Sequence, residues 1–228
     1  MIASGELASG DRVAESFLGL RLGASRYTVR EALRVLVTQG VLEKVPHSGC
    51  RVTRFDEARL RQITTARLQV ELLVLPAASA ALKVDPMLVK RLDRALKNLA
   101  AAASQGEAKY AEADIAFHRT VLRLSGDDIG MRLWETLLPH VRIVRSILGE
   151  RVHDLEAHVA EHHNLRDVFL FGDLAEIELV WRAHLMRHID EDRAACASLT
   201  SASAVPARDR PGTAVRRSSG TSHQGRLP

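Results

Sequence analysis

Residues 25–36, SRYTVREALRVL, are the most informative stretch of the chain. Val29, Ala32, Leu33, Leu36 and Val37 recur at the three- and four-residue spacing of one helix face, and Ser25 stands where an N-cap belongs. Just before it, Phe17, Leu18, Leu20 and Leu22 form a short apolar helical run that stops at Gly23, a residue suited to the left-handed turn after a helix. Gly40 closes the second helix. From Val41 to Thr53, Leu42, Val45, Cys50 and Val52 alternate loosely around Pro46, His47, Ser48 and Gly49, the pattern of two short strands about a tight turn. Helix, three-residue turn, helix and hairpin give the order of a winged helix-turn-helix.

The polar residues of that second helix fit the same reading. Ser25, Arg26, Thr28 and Arg30 fall in its first turns, the part of a recognition helix that enters the major groove. There an arginine fork can read guanine O6 and N7, while Thr28 and backbone N–H groups can hold phosphates. An amphipathic helix with merely solvated arginines has the same composition. The flanking short helix, Gly23 turn and Gly49 hairpin favour the DNA-reading alternative. Charge is distributed accordingly: residues 1–54 carry net +3, residues 55–195 net −3 and residues 196–228 net +4. A basic head suits a polyanionic partner.

The body reads as successive helices. Periodic apolar runs cover 58–82, about 85–104, 107–124, 129–148 and 153–171, and Gly172-Asp173 with Glu176 opens a last helix through a capping box. Asp85-Pro86 supplies an N-cap followed by proline at the first helical position. The expected architecture is therefore mostly α: a winged helix-turn-helix over residues 1–54, then an antiparallel bundle of about six helices over 55–197. Residues 198–228 are Ser, Ala, Arg, Gly and Pro with almost no large apolar residue, and are expected to be a disordered basic tail. The composition, 46% hydrophobic with nine aromatics in 228 residues, argues against an RNA module built on aromatic platforms. No run approaches 18 apolar residues, and MIASGELASG lacks the layout of a secretory signal, so no membrane partner and a cytoplasmic location are expected. Cys50 and Cys196 are too few for a disulfide framework.

Several motifs together resemble the GntR family of bacterial transcriptional regulators. They are I-x-S-G-x-L-x-x-G-D-R-V-x-E (Ile2 to Glu15), L-G-A-S-R-Y-T-V-R-E-A-L-R-V-L (Leu22 to Leu36), G-V-L (Gly40 to Leu42) and P-H-S-G (Pro46 to Gly49). R-L-Q-V-E (Arg67 to Glu71), D-I-A-F-H (Asp114 to His118), Glu161-His162, Gly172-Asp173 and His184 resemble the FadR-type branch with an FCD ligand-binding domain. The resemblance implies a homodimer that contacts a palindromic double-stranded DNA operator through Ser25, Arg26, Thr28, Arg30 and the wing residue Gly49. It implies a divalent metal ion (zinc, nickel or manganese) held by Asp114, His118, His162 and His184. A small carboxylate effector would sit there, with Arg67 as its first cationic partner and Arg119, Arg142 and Arg145 as weaker candidates; Trp134 is read as core. In such families the regulator is most often a repressor, not an enzyme.

Spacing alone leaves the metal set open. Asp114 and His118 are four residues apart and share a helix face, but eight of the ten histidines lie between His118 and His188, so pairs such as His158/His162 and His184/His188 arise by chance. Solvated or helix-end histidines are the alternative, and His163 should point about 100° away from His162. Three departures from the family pattern stand out: Ser9 in place of proline, Gly19 in place of alanine and Asp127 in place of asparagine. The family also has a first helix ahead of the I-x-S-G segment, which here lies next to Met1, so the head reads as truncated. Two other functions are therefore open: a DNA-silent sensor or partner protein, and a metal-dependent hydrolase or lyase with Glu161 as the nearest base.

Overall fold

The computed structural model describes residues 1–2, 6–46, 49–149 and 154–202. Residues 1–192 form one compact unit; a second unit begins at Arg193 and contributes the end of the last helix.

The head is built from β1 (Arg12–Val13), α1 (Glu15–Leu22), α2 (Arg26–Thr38), β2 (Leu42–Val45) and β3 (Gly49–Val52). Gly23 takes φ 61° and ends α1, and Ser25 caps α2 by accepting from the Thr28 N–H at 3.1 Å. The hairpin is part of a three-stranded antiparallel sheet in the order β1-β3-β2, with Val13 opposite Cys50 and Leu42 opposite Val52. The two-residue strand β1 is too short to leave a readable alternation in the sequence. His47 and Ser48, at the expected turn, lie outside the described residues. Of the apolar run in α1 only Leu18 is buried, while Phe17, Leu20 and Leu22 are exposed.

The departures at Ser9, Gly19 and Asp127 each have a local role. The Ser9 hydroxyl accepts from the Phe55 N–H at 2.8 Å and donates to the Thr53 carbonyl at 3.2 Å, stitching the head to the start of the body. A Cβ at Gly19 would stand 3.3 Å from the Ala24 carbonyl, a tight approach at the turn. Asp127 caps the helix that follows it, accepting from the Ile129 and Gly130 N–H groups at 2.9 Å.

Six helices make up the body: α3 (Glu57–Val84), α4 (Pro86–Ala103), α5 (Glu107–Leu124), α6 (Asp128–Gly149), α7 (Leu155–Phe171) and α8 (Leu174–Ala202). Asp56, Asp85 and Asp154 cap α3, α4 and α7 through their carboxylates. Helix α8 runs on to Ala202, past the expected end of the body at residue 197, through a stretch whose alanines favour helix. Residues 203–228 lie outside the described residues. The long helix α3 is apolar enough to cross a bilayer by composition, yet it is a core helix: Leu68, Leu75, Ala78 and Leu82 pack against α4, α5, α7 and α8.

Head and body share one apolar cluster. Val29, Leu33, Val41 and Val52 of the head join Leu60 and Ile63 of α3 and Ile143, Val144 and Leu148 of α6. Higher in the bundle α3 and α6 cross closely, because α6 presents Gly130 to the buried Val74. A Cβ at Gly130 would lie 2.5 Å from Val74 Cγ1, closer than carbon atoms can approach. Gly130→Ala is therefore expected to lower stability by about 1–3 kcal/mol through overpacking, despite the better helix propensity of alanine. Thermal denaturation checks this, and an unchanged or raised Tm would mean that the crossing is looser than described.

Candidate metal centre and DNA-reading face

Asp114, His118, His162 and His184 come together although they lie on three helices, α5, α7 and α8. One ligand atom from each falls within 4.8 Å of all the others. The first three are buried and His184 nearly so. His162 Nε2 stands 3.2 Å from Asp114 Oδ1, and His118 Nε2 stands 4.0 Å from the same oxygen. His163, the neighbour on α7, is exposed, as a 100° step predicts.

The outer contacts fix which nitrogen of each ring faces inward. The His118 Nδ1–H donates to Glu71 Oε2 at 2.8 Å, the His162 Nδ1–H to the His158 carbonyl at 2.8 Å, and the His184 Nδ1–H to Glu161 Oε2 at 3.0 Å. Each partner is an acceptor only, so each Nδ1 carries a proton, and in the neutral ring each Nε2 presents a lone pair. His118 Nε2 and His162 Nε2 are buried with no hydrogen-bond partner. Burial of unpartnered polar atoms is costly, and a shared cation is the economical way to satisfy them.

Electrostatics keeps Asp114, His118 and His184 in ligand form. Burial works to raise the Asp114 carboxyl, but the Arg145 guanidinium beside it holds it well below the usual carboxylate range. Burial, then the neighbouring His162 and His118, push His184 well below the usual imidazole value; burial, with Arg67, lowers His118. An ionised carboxylate with neutral imidazoles is the state that binds a divalent metal. Three nitrogens and one oxygen suit zinc, nickel or manganese.

Beneath the centre lies a contact set that the sequence did not reveal. Glu71 is fully buried, and its two oxygens accept from Arg67 Nε at 2.6 Å, His118 Nδ1 at 2.8 Å, Trp134 Nε1 at 2.8 Å and Trp181 Nε1 at 2.8 Å. Burial works to raise the Glu71 carboxyl, but Arg67 and His118 pull it well below the usual range. The one signal in the sequence was the Arg67/Glu71 spacing of four; the tryptophans belong to distant helices. Trp134 is core, as expected, with its indole N–H engaged in this set.

The arginine candidates separate clearly. Arg67 is buried, its Nη2 is without a partner, and its charge is felt at both His118 and His184. Arg145 is buried with Nε 3.3 Å from Asp114 Oδ2. Arg142 pairs with Glu112 on an exposed face, and Arg119 stacks over Trp134 beside Glu135. Glu161 does not face the centre; it supports His184 and pairs with Arg187.

In the head, Ser25 and Thr28 are tied to each other at 2.8 Å at the start of α2, and Arg26 is exposed in the first turn. Arg30 lies one turn on, its Nε donating to Glu15 Oε2 at 2.8 Å. Gly49 opens β3 with φ 83°. Arg12, Arg26, Arg30 and Gly49 line one cleft between the hairpin and α2.

This fold and these motifs define a DNA-binding transcriptional regulator. The chain belongs to the GntR family with an FCD effector domain: residues 1–52 match the model of bacterial regulatory proteins of the gntR family and residues 62–187 match the FCD domain. An HTH-type transcriptional regulator from an unstable DNA locus of Streptomyces ambofaciens is 32% identical over 195 residues, 84% of this chain and 80% of that one. The gluconate operon transcriptional repressor of Bacillus subtilis is 27% identical over 139 residues, 60% of this chain and 56% of that one. The solved structure of E. coli McbR/YncC superposes with a TM-score of 0.66 at 23% identity, covering 87% of this chain and 92% of that one. The family and these relatives are transcriptional regulators rather than enzymes.

Removal of the Glu71 charge strands four donors, one of them a buried guanidinium. Glu71→Ala is expected to cost about 3–5 kcal/mol, read as a fall in the denaturant midpoint. A loss below about 1 kcal/mol would show that the four contacts do not act as described.

Proposed function

We propose that this chain is a ligand-responsive repressor that works in the cytoplasm as a homodimer on a palindromic operator and senses a small organic or sugar acid at a metal-containing pocket. The observation that carries the sensing half is the convergence of one ring nitrogen from each of His118, His162 and His184 with an oxygen of Asp114. Residues 1–54 form the DNA-binding half of this reading, with Ser25, Arg26, Thr28, Arg30 and Gly49 on the DNA. Residues 55–197 form the sensing half.

Asp114, His118, His162 and His184 would hold the metal, which when bound supplies a Lewis-acidic point for a carboxylate. Arg67 has Nε committed to Glu71, and its unpartnered Nη2 is the donor available to an effector oxygen. That a relative represses a gluconate operon supports the sugar-acid class for this chain. Effector binding would bias the shared cluster of α3, α6 and the head between two arrangements, and by linkage operator DNA would change effector affinity by the same factor.

Two measurements test the halves separately. In titration calorimetry, Glu161→Gln is expected to weaken metal binding by roughly 10–100-fold and His162→Ala by more, since one loses an outer-shell support and the other a ligand. Equal affinity in all three proteins would remove the metal reading. In fluorescence anisotropy, the double variant Arg26→Ala/Arg30→Ala is expected to lose sequence-selective DNA binding; retained operator affinity would show that α2 is not the reading helix.

A further inference from the structure

We propose that Glu15 is a specificity-determining positioning residue, which holds the guanidinium of Arg30 in the one orientation that reads a base. This rests on the assignment of α2 as the reading helix. Glu15 opens α1, where the helix dipole favours a carboxylate, and Arg30 lies on α2, fifteen residues on in sequence. Glu15 Oε2 accepts from Arg30 Nε at 2.8 Å across the cleft lined by Arg12, Arg26 and Gly49. Both side chains are substantially exposed, 42% and 62%, so the pair is placed on the reading surface rather than in the core.

The geometry of the contact matters more than its energy. An exposed ion pair contributes little to stability. A guanidinium offers either its Nε/Nη edge or its two Nη groups to a bidentate acceptor. With Nε engaged by Glu15, the terminal Nη fork is the edge left for guanine O6 and N7. The pairing also removes rotamers that a free arginine would lose on binding. Among the described residues, Arg26 makes no ion pair with any carboxylate, so Arg30 is the recognition arginine whose direction the protein itself sets.

Without Glu15, Arg30 becomes a mobile cation next to the DNA backbone, and such a cation finds phosphate. The expected result of Glu15→Ala is thus a redistribution. Sequence-selective binding weakens relative to non-selective binding, by about tenfold in the ratio, the order expected for one bidentate base contact. The slope of log affinity against log salt on scrambled DNA steepens by about 0.9, one added phosphate contact. Glu15→Gln retains a hydrogen-bonding oxygen and is expected to fall between wild type and Glu15→Ala.

The test uses the full chain and a duplex that it selects from a randomised double-stranded pool, measured against a scrambled duplex at several salt concentrations. Wild type, Glu15→Ala, Glu15→Gln, Arg30→Ala and the double variant Glu15→Ala/Arg30→Ala are compared at equal Tm. The proposal predicts loss of selectivity in Glu15→Ala, partial rescue in Glu15→Gln and no further loss when Glu15→Ala is added to Arg30→Ala. If Arg30→Ala loses selectivity while Glu15→Ala keeps it, the positioning role is wrong and the reading helix stands. If Arg30→Ala itself keeps full selectivity, Arg30 reads no base and the role of Glu15 is overturned. Loss of selectivity in Arg26→Ala/Arg30→Ala would still leave α2 as the reading helix.

Discussion

The buried carboxylate of Glu71 is the contact on which most of the body depends. It accepts from side chains of α3, α5, α6 and α8, so one ionised group ties four of the six body helices together. Such a group is expensive to bury and is tolerated only when donors surround it; two tryptophans, an arginine and an imidazole do so here. The same carboxylate orients His118, whose other nitrogen faces the proposed metal centre. The scaffold and the proposed sensing site are thus separated by one imidazole ring. Arg67 is likewise shared between them, with one nitrogen on Glu71 and another unpartnered.

The outer shell has a uniform logic. Every imidazole of the centre gives its Nδ1 proton to an acceptor on the protein, and Asp114 has Arg145 behind it. Arg145 belongs to α6, and α6 also contributes Ile143, Val144 and Leu148 to the cluster shared with the head. A change at Asp114 is therefore one helix away from the apolar surface on which α2 rests. That short path is a physical route by which occupancy of the centre can be felt in the head on the proposed reading.

Local signals carried most of the fold. Gly23, Ser25 and Asp85-Pro86 mark helix ends through backbone requirements that any tertiary setting must satisfy, and the structure places caps at all three. The quartet of Asp114, His118, His162 and His184 was legible only through resemblance, because periodicity cannot say which histidines share a bundle interior; the structure groups them. Glu71, Trp181 and Glu161 were not legible in their roles. Each acts across helices far apart in sequence, and no spacing rule links residue 71 to residue 181. Strand β1 was missed for the opposite reason, being two residues long and defined wholly by its pairing with β3.

X-ray absorption spectroscopy of the purified full-length chain loaded with one equivalent of zinc or nickel bears most directly on the sensing site. The structure predicts a first shell of nitrogen and oxygen with multiple-scattering features of three imidazoles and no sulfur. A shell with one imidazole or none, or with a sulfur scatterer, would contradict the convergence of His118, His162 and His184 on one ion and with it the sensing role proposed for the FCD domain.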